Sequence, residues 1–218
     1  FSVVHNVEEL VALVNEVKFI PVFRNDIPGF SVEEHIAPEF WFPKEGDGFW
    51  EWKGPSIQQS GCAYGKFFHG RAGYIAKDLY NDFANYRRDG YDFDSLWDEG
   101  LVGLKYKKVF DILWHKHSML SKELKNESES KNFEQIMTYL QMRGYVVISD
   151  FEYMKTKKGI PYGWGVTRYQ TPEFRFGNYF TDNVYNNDPV ESFNKLLKYL
   201  QLLLPDVSKQ EIDSLLKF

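Results

Sequence analysis

The chain has 218 residues, 43% hydrophobic and 18% aromatic, with a formal charge of −5. That is ample for a packed core; no run approaches the roughly 18 apolar residues of a membrane helix, and the charge argues against a protein that coats nucleic acid through clustered lysine and arginine. Its single cysteine, Cys62, excludes an intramolecular disulfide and a cysteine-based zinc site, and reads as a buried small hydrophobe in a reducing compartment.

No basic-then-apolar signal segment opens the chain, so the expectation is a soluble cytoplasmic protein with no membrane association. The first residue is Phe1 in place of an initiator methionine, as in a trimmed chain.

Asn6 with Glu9 caps a first helix whose stripe is Leu10, Leu13, Val14 and Val17. Phe19 to Phe23 is a short apolar segment, and Ser31 with Glu34 opens a short helix over 32–36. Phe40-Trp41-Phe42 and Phe49-Trp50-Glu51-Trp52, on either side of a Gly-containing loop, predict an aromatic-rich hairpin, with a further strand over Ile57 to Cys62. Glycines then alternate with aromatics from Ala63 to Ile75, a pattern that permits close backbone approach. Lys77 to Tyr86 predicts a short amphipathic helix, and Arg87 to Asp94 a charged turn.

From Leu104 the pattern sharpens. Tyr106, Val109, Phe110, Leu113 and Trp114 share a helical face, a short helix follows over 121–126, and a longer one runs from Lys131 to Arg143 with Phe133, Ile136, Met137 and Leu140 buried. Gly144 stops it, and the chain continues as a strand (Tyr145 to Met154), a Lys-rich turn and a second strand (Tyr162 to Tyr169). Helix, helix, helix and hairpin is the order of a winged helix-turn-helix. Asp188-Pro189 with Glu191, and Ser208 with Glu211, open two closing helices. No sequence repeat is visible.

The expected fold is therefore α+β, with an aromatic-rich portion over 1–100, a winged unit over 101–172 and a helical extension over 173–218. The segment Ser121 to Gln170 holds eight Lys/Arg and six Asp/Glu, a local +2 that leaves −7 elsewhere. A local contact with double-stranded DNA on an acidic body is compatible with that split. Lys131, Asn132, Gln135 and Thr138 on the second helix of the turn, and Lys155, Lys157 and Lys158 at the wing tip, are the candidate DNA contacts.

A second concentration comprises Tyr64, Arg71, Arg87, Arg88 and Asp92, a candidate anion or small-molecule pocket. His69, Asp89 and Glu51 are the candidate acid–base groups, Glu51 because its tryptophan neighbours would desolvate it. His115 and His117 lie two apart and cannot share a helical face as zinc ligands would. No Walker-type loop, GxSxG, HExxH or GxGxxG occurs, so no cofactor and no metal is implied. Three classes stand open: a DNA-binding or damage-recognising protein, a small-molecule enzyme or binder, and a module that contacts another protein.

Tyr64-Gly65-Lys66, Arg71-Ala72-Gly73-Tyr74, Asn85 to Asp92, Leu140-Gln141-Met142-Arg143, Ser149 to Tyr153 and Tyr162-Gly163-Trp164-Gly165 resemble a family of bacterial proteins described as AlkZ-related, over about Ile20 to Glu173. The resemblance implies winged-helix architecture and a link to DNA, since AlkZ is a tandem winged-helix glycosylase that removes alkylation and crosslink damage. Its Gln-x-Gln or Gln-x-Asp catalytic pattern is not matched here. Gln58-Gln59-Ser60 places two glutamines side by side, and Gln135-Ile136-Met137 has only one.

Overall fold

The computed structural model describes residues 1–218, apart from the side chains of 161 and 162, so that of Tyr162 in the resemblance lies outside the described set. The chain begins with α1 (Val7–Val17), β1 (Phe19–Pro21), the short helices α2 (Val32–His35) and α3 (Pro38–Trp41), α4 (Phe49–Ser60), and the hairpin β2 (Ala63–Phe68) and β3 (Arg71–Ile75). It continues through α5 (Lys77–Arg88), α6 (Phe93–Asp98), α7 (Leu104–Lys116), β4 (Ser118–Leu120), α8 (Ser121–Ser128), α9 (Phe133–Met142), β5 (Val147–Lys155) and β6 (Pro161–Gln170). The last elements are α10 (Pro172–Phe176), α11 (Asn178–Thr181), α12 (Pro189–Leu203) and α13 (Lys209–Leu216).

The fold is mixed α+β with two antiparallel three-stranded sheets, ordered β1-β3-β2 and β4-β6-β5. Both sheets are reached by a similar succession of helix, three-residue strand, short helix (two in the first case, α2 and α3), longer helix and hairpin. Each central strand carries a buried tyrosine one residue from its end, Tyr74 opposite Ile20 and Tyr169 opposite Met119. The architecture thus repeats where the sequence shows no repeat. What recurs is the order of elements and strands, which many side chains satisfy.

The two copies cover each other. Helix α4 of the first packs on β5 of the second, α9 of the second packs on β2 of the first, and β2 lies against β5. This reciprocity is the isologous pattern of a two-fold relation. Two glutamines mark it. Gln58 Nε2 donates to the Ser149 carbonyl at 2.6 Å, and Gln141 Oε1 accepts from the Lys66 N–H at 3.0 Å. Each glutamine stands three positions before the left-handed glycine that ends its helix, Gly61 or Gly144, and each partner stands five positions after the other copy's glycine.

The aromatic hairpin expected around 40–52 is instead α3, a loop and the start of α4, and the strand expected over Ile57 to Cys62 is the end of α4 and its glycine cap. Phe49, Trp52, Ser56 and Ile57 are buried at helical spacing, whereas the alternation of Phe49-Trp50-Glu51-Trp52 imitates a strand over too few residues to decide. Glu51 accepts from the Gly48 N–H at 2.9 Å, so this candidate acid caps the helix. Gly54 lets β5 approach, since a Cβ there would stand 2.7 Å from Asp150 Oδ1. The helices α1, α2, α5, α7, α8, α9, α12 and α13 fall within a few residues of expectation, with every residue of the first stripe buried, whereas the short helices α6, α10 and α11 have no expected counterpart. Trp114, expected on the buried face of α7, is 45% exposed.

Gln141 is buried and Gln58 is exposed, which separates their energetic roles. Gln141→Leu leaves the Lys66 N–H unpaired and is expected to cost about 1–3 kcal/mol, while Gln58→Leu stays within about 0.5 kcal/mol. Urea unfolding midpoints of the two variants measure the difference, and equal losses would contradict it.

Candidate functional site

Two arginines at the end of α5 hold the segments around a large cavity. Arg88 is fully buried; its Nε and Nη2 donate to the Gly144 carbonyl at 3.0 and 2.9 Å, and its Nη1 donates to Glu173 at 2.7 Å and to the Tyr185 hydroxyl at 2.9 Å. Burial opposes its charge, but Glu173 and Tyr185 outweigh that and hold it firmly protonated. Arg87, also buried, has no carboxylate partner among the described residues, and its guanidinium donates to the carbonyls of Met142, Leu216 and Lys217. Burial pushes it down to about 10, still charged at neutral pH. The pair ties the ends of α9, α13 and α10 to α5.

The cavity, about 530 Å³, opens beyond Glu173, between α7 and the segment carrying α11. Phe93, Phe110, Trp114, Phe180 and Tyr185 line it, with Phe93 stacked on Phe110 at 3.9 Å. Four carboxylates face it: Asp92, Asp94, Asp111 and Glu173. Asp92 is committed as the cap of α6, accepting from Ser95 N–H at 2.8 Å, and Asp111 pairs with Lys107 at 2.6 Å. Asp94 has no ion-pair partner among the described residues, and the second oxygen of Glu173 is buried without a hydrogen bond. The lining therefore presents aromatic faces and one carboxylate without an ion-pair partner among the described residues, Asp94. With Lys107 and Arg88 as the only lysine or arginine counted against four carboxylates, it repels phosphate and suits a planar donor-rich cation. Its size lies in the range of small-molecule sites.

The residues expected to bind a ligand do not share this cavity. Asp92 lines it and Arg88 stands behind it, whereas Tyr64 is buried between the sheets, and Arg71 is exposed and donates to the Arg24 carbonyl at 3.4 Å. Arg87 and Asp89 line a separate concavity with Arg143 and Phe218. His69 sits at the β2–β3 turn with its Nε2 3.0 Å from the Ser214 carbonyl. Near α7's end, His115 bonds the Asp111 carbonyl at 2.6 Å while His117 stacks on Phe174.

Of the expected DNA contacts, Lys131, Asn132 and Gln135 are exposed at the start of α9, as are Lys155, Lys157 and Lys158 at the β5–β6 turn. Thr138 is half-buried and faces Gly70 of the first hairpin, so the middle of α9 is occupied by the other half of the molecule. Trp114, Glu173 and Tyr185 escaped sequence reasoning as site residues, whereas Asp94 belongs to the charged concentration of the sequence. A bulky aromatic beside buried Leu113 reads as core, and Glu173 finds Arg88 only across 85 residues of chain.

Replacing Arg88 by Met is expected to destabilise the protein by about 3–5 kcal/mol, because Glu173 is left as an unpaired buried charge. Adding Glu173→Gln should recover part of that loss in a thermal or urea melt. A double variant as unstable as the single one would contradict the pairing.

A family model described as AlkZ related matches residues 4–217. No curated protein and no solved structure matches the chain.

Proposed function

The chain belongs to the AlkZ-related family, and on that premise we propose that it is a DNA-repair-related, glycosylase-like protein that recognises damaged duplex DNA. The order α7, β4, α8, α9, β5, β6 with its β4-β6-β5 sheet is read as a winged helix spanning about 101–172, and α1 to β3 as a second unit of the same plan. Lys155, Lys157 and Lys158 on the wing and Lys131 at the start of α9 take phosphate oxygens, which position a duplex without reading sequence. No helix is long and apolar enough to cross a membrane.

The observation that carries the reading of damage is the pairing of aromatic walls with the unpaired Asp94 carboxylate in a cavity of about 530 Å³. A nucleobase out of the stack is recognised by stacking and by hydrogen bonds to its edge. An alkylated purine adds a delocalised positive charge, which the Trp114 and Tyr185 faces and the Asp94 carboxylate favour over a neutral base. The same carboxylate stabilises positive charge developing on the sugar as a glycosidic bond lengthens. Neither Gln58 nor Gln141 serves that step in this reading, since both amides are bonded to backbone of the other half.

The test compares 7-methylguanosine, a cationic nucleoside, with guanosine, its neutral counterpart, by tryptophan fluorescence. The cation should bind at least about five-fold more tightly, a difference near 1 kcal/mol, and Asp94→Asn should remove most of that preference. Equal affinities for the two nucleosides would overturn the reading of the cavity.

A further inference from the structure

A second, smaller recess lies where α4 of the first half meets the β5–β6 hairpin of the second. Lys53 enters it from α4, with its Nζ 3.9 Å from the centre of the Phe151 ring and 4.8 Å from that of Trp50. Tyr153, Trp164 and Gly165 complete the lining. Tyr153 fixes the wall by donating from its hydroxyl to the Trp50 carbonyl at 3.2 Å, while Trp164 is 81% exposed at the mouth. Gly165 keeps the floor open, because a Cβ there would stand 3.1 Å from Phe151 Cβ.

The lysine is out of place for the fold. Counted back eight positions from Gly61 it corresponds to Ile136, eight before Gly144, and Ile136 is 1% exposed in the core of the second half. Where the repeated plan calls for an apolar side chain, the first half places an amine. No carboxylate lies within ion-pair distance of it among the described residues. Lysines mostly stand exposed, whereas this one is half-buried over two aromatic rings without an anionic partner among the described residues. Burial pushes the ammonium down to about 8, against a weaker opposing pull from Glu51. Near that pH about half of the side chains carry a free lone pair, the condition for a nucleophilic amine.

The recess admits little else. Its volume, about 50 Å³, holds a few water-sized groups, so what reaches the amine is a small group. An aldehyde carbon with its oxygen fits. Its position at the root of the hairpin bearing Lys155, Lys157 and Lys158 places it beside a surface suited to a phosphate backbone.

We propose that Lys53 is a nucleophile that forms an imine with the aldehyde of a ring-opened deoxyribose at a base-free site in DNA. This rests on the DNA reading above and gives the protein a second chemistry, directed at the product that base removal leaves. The neutral Nζ adds through its lone pair to C1′, and the carbonyl π electrons move to oxygen. A proton passes from nitrogen to that oxygen, giving a carbinolamine. A second proton converts the hydroxyl to water, which departs as the nitrogen lone pair forms the C=N bond and leaves a protonated imine. One water is released for each imine formed, nothing is oxidised or reduced, and addition of water reverses the sequence.

The experiment uses the full chain, a duplex with one base-free site, and sodium cyanoborohydride, whose hydride reduces the imine carbon to a stable amine. Denaturing gels and peptide mass analysis should show one covalent adduct at Lys53, with a yield that rises as pH passes from 7 through 8. Lys53→Met, an apolar replacement suited to the aromatic walls, and Lys53→Arg should each lower the yield at least ten-fold, while Lys209→Met on α13 leaves it unchanged. Circular dichroism confirms that the variants are folded. Absence of an adduct, an adduct on another lysine, or undiminished trapping in Lys53→Met overturns the proposal. A gel shift of the same duplex without reductant reads DNA binding by itself: a shift without trapping removes the imine and leaves the DNA reading, whereas the absence of both removes both.

Discussion

Neither three-stranded sheet can bury its own core, because the first strand of each is only three residues long and the hairpin presents apolar residues on both faces. The architecture is a consequence of that shortage. Each half lends its longer helix to the first hairpin strand of the other, and the exchange fills a continuous core from Val4 to Leu216. Gln58 and Gln141 satisfy main-chain groups where helix and foreign strand meet, so the register of the two halves is fixed by hydrogen bonds as well as by packing. The same exchange occupies the middle of α9, leaving only its first turn and the hairpin tip exposed to a large partner.

The two arginines of α5 then bind the outer elements to this pair. Arg88 spans from the cap of α9 to α10 and the segment after α11, and Arg87 reaches the end of α13. Removing a guanidinium from water is tolerable only when carbonyls and a carboxylate replace its hydration. Meeting that condition draws Glu173 inward with one oxygen on Arg88 and the other uncommitted. The acidic character of the large cavity is thus a by-product of how the C-terminal segment is held, and it gives the cavity a preference opposite to that of the wing lysines.

Local signals carried most of the element plan. Capping pairs at Asn6, Ser31, Asp188 and Ser208, the glycine stop at Gly144, and the stripes of α1, α9 and α12 all identify their elements from neighbours within one or two turns. The segment from Phe40 to Ser60 failed for a physical reason. Four consecutive large residues satisfy both a two-residue and a 3.6-residue period, and Pro55 argued against the helix that tertiary contacts impose. The site was less legible. Arg87 and Arg88 look like surface charge until their carbonyl partners, more than fifty residues away, come into view. Lys53 is a lysine in a string of aromatics until its position opposite the β5–β6 hairpin places it over the Phe151 ring. Long-range pairing and a repeat of plan without a repeat of sequence leave no mark that a linear reading detects.

The central claim is that an acidic protein carries a localised cationic face for duplex DNA, distinct from an acidic cavity for the damaged base. A gel-shift titration of a duplex across 50–200 mM salt tests it most directly, for the native chain and for a variant with Lys155, Lys157 and Lys158 changed to Gln. Affinity should fall steeply with salt in the native chain, and the log–log slope should shrink by about 2–3 in the variant, near 0.9 for each phosphate no longer neutralised. A flat salt response, or a slope unchanged by the three substitutions, would contradict it.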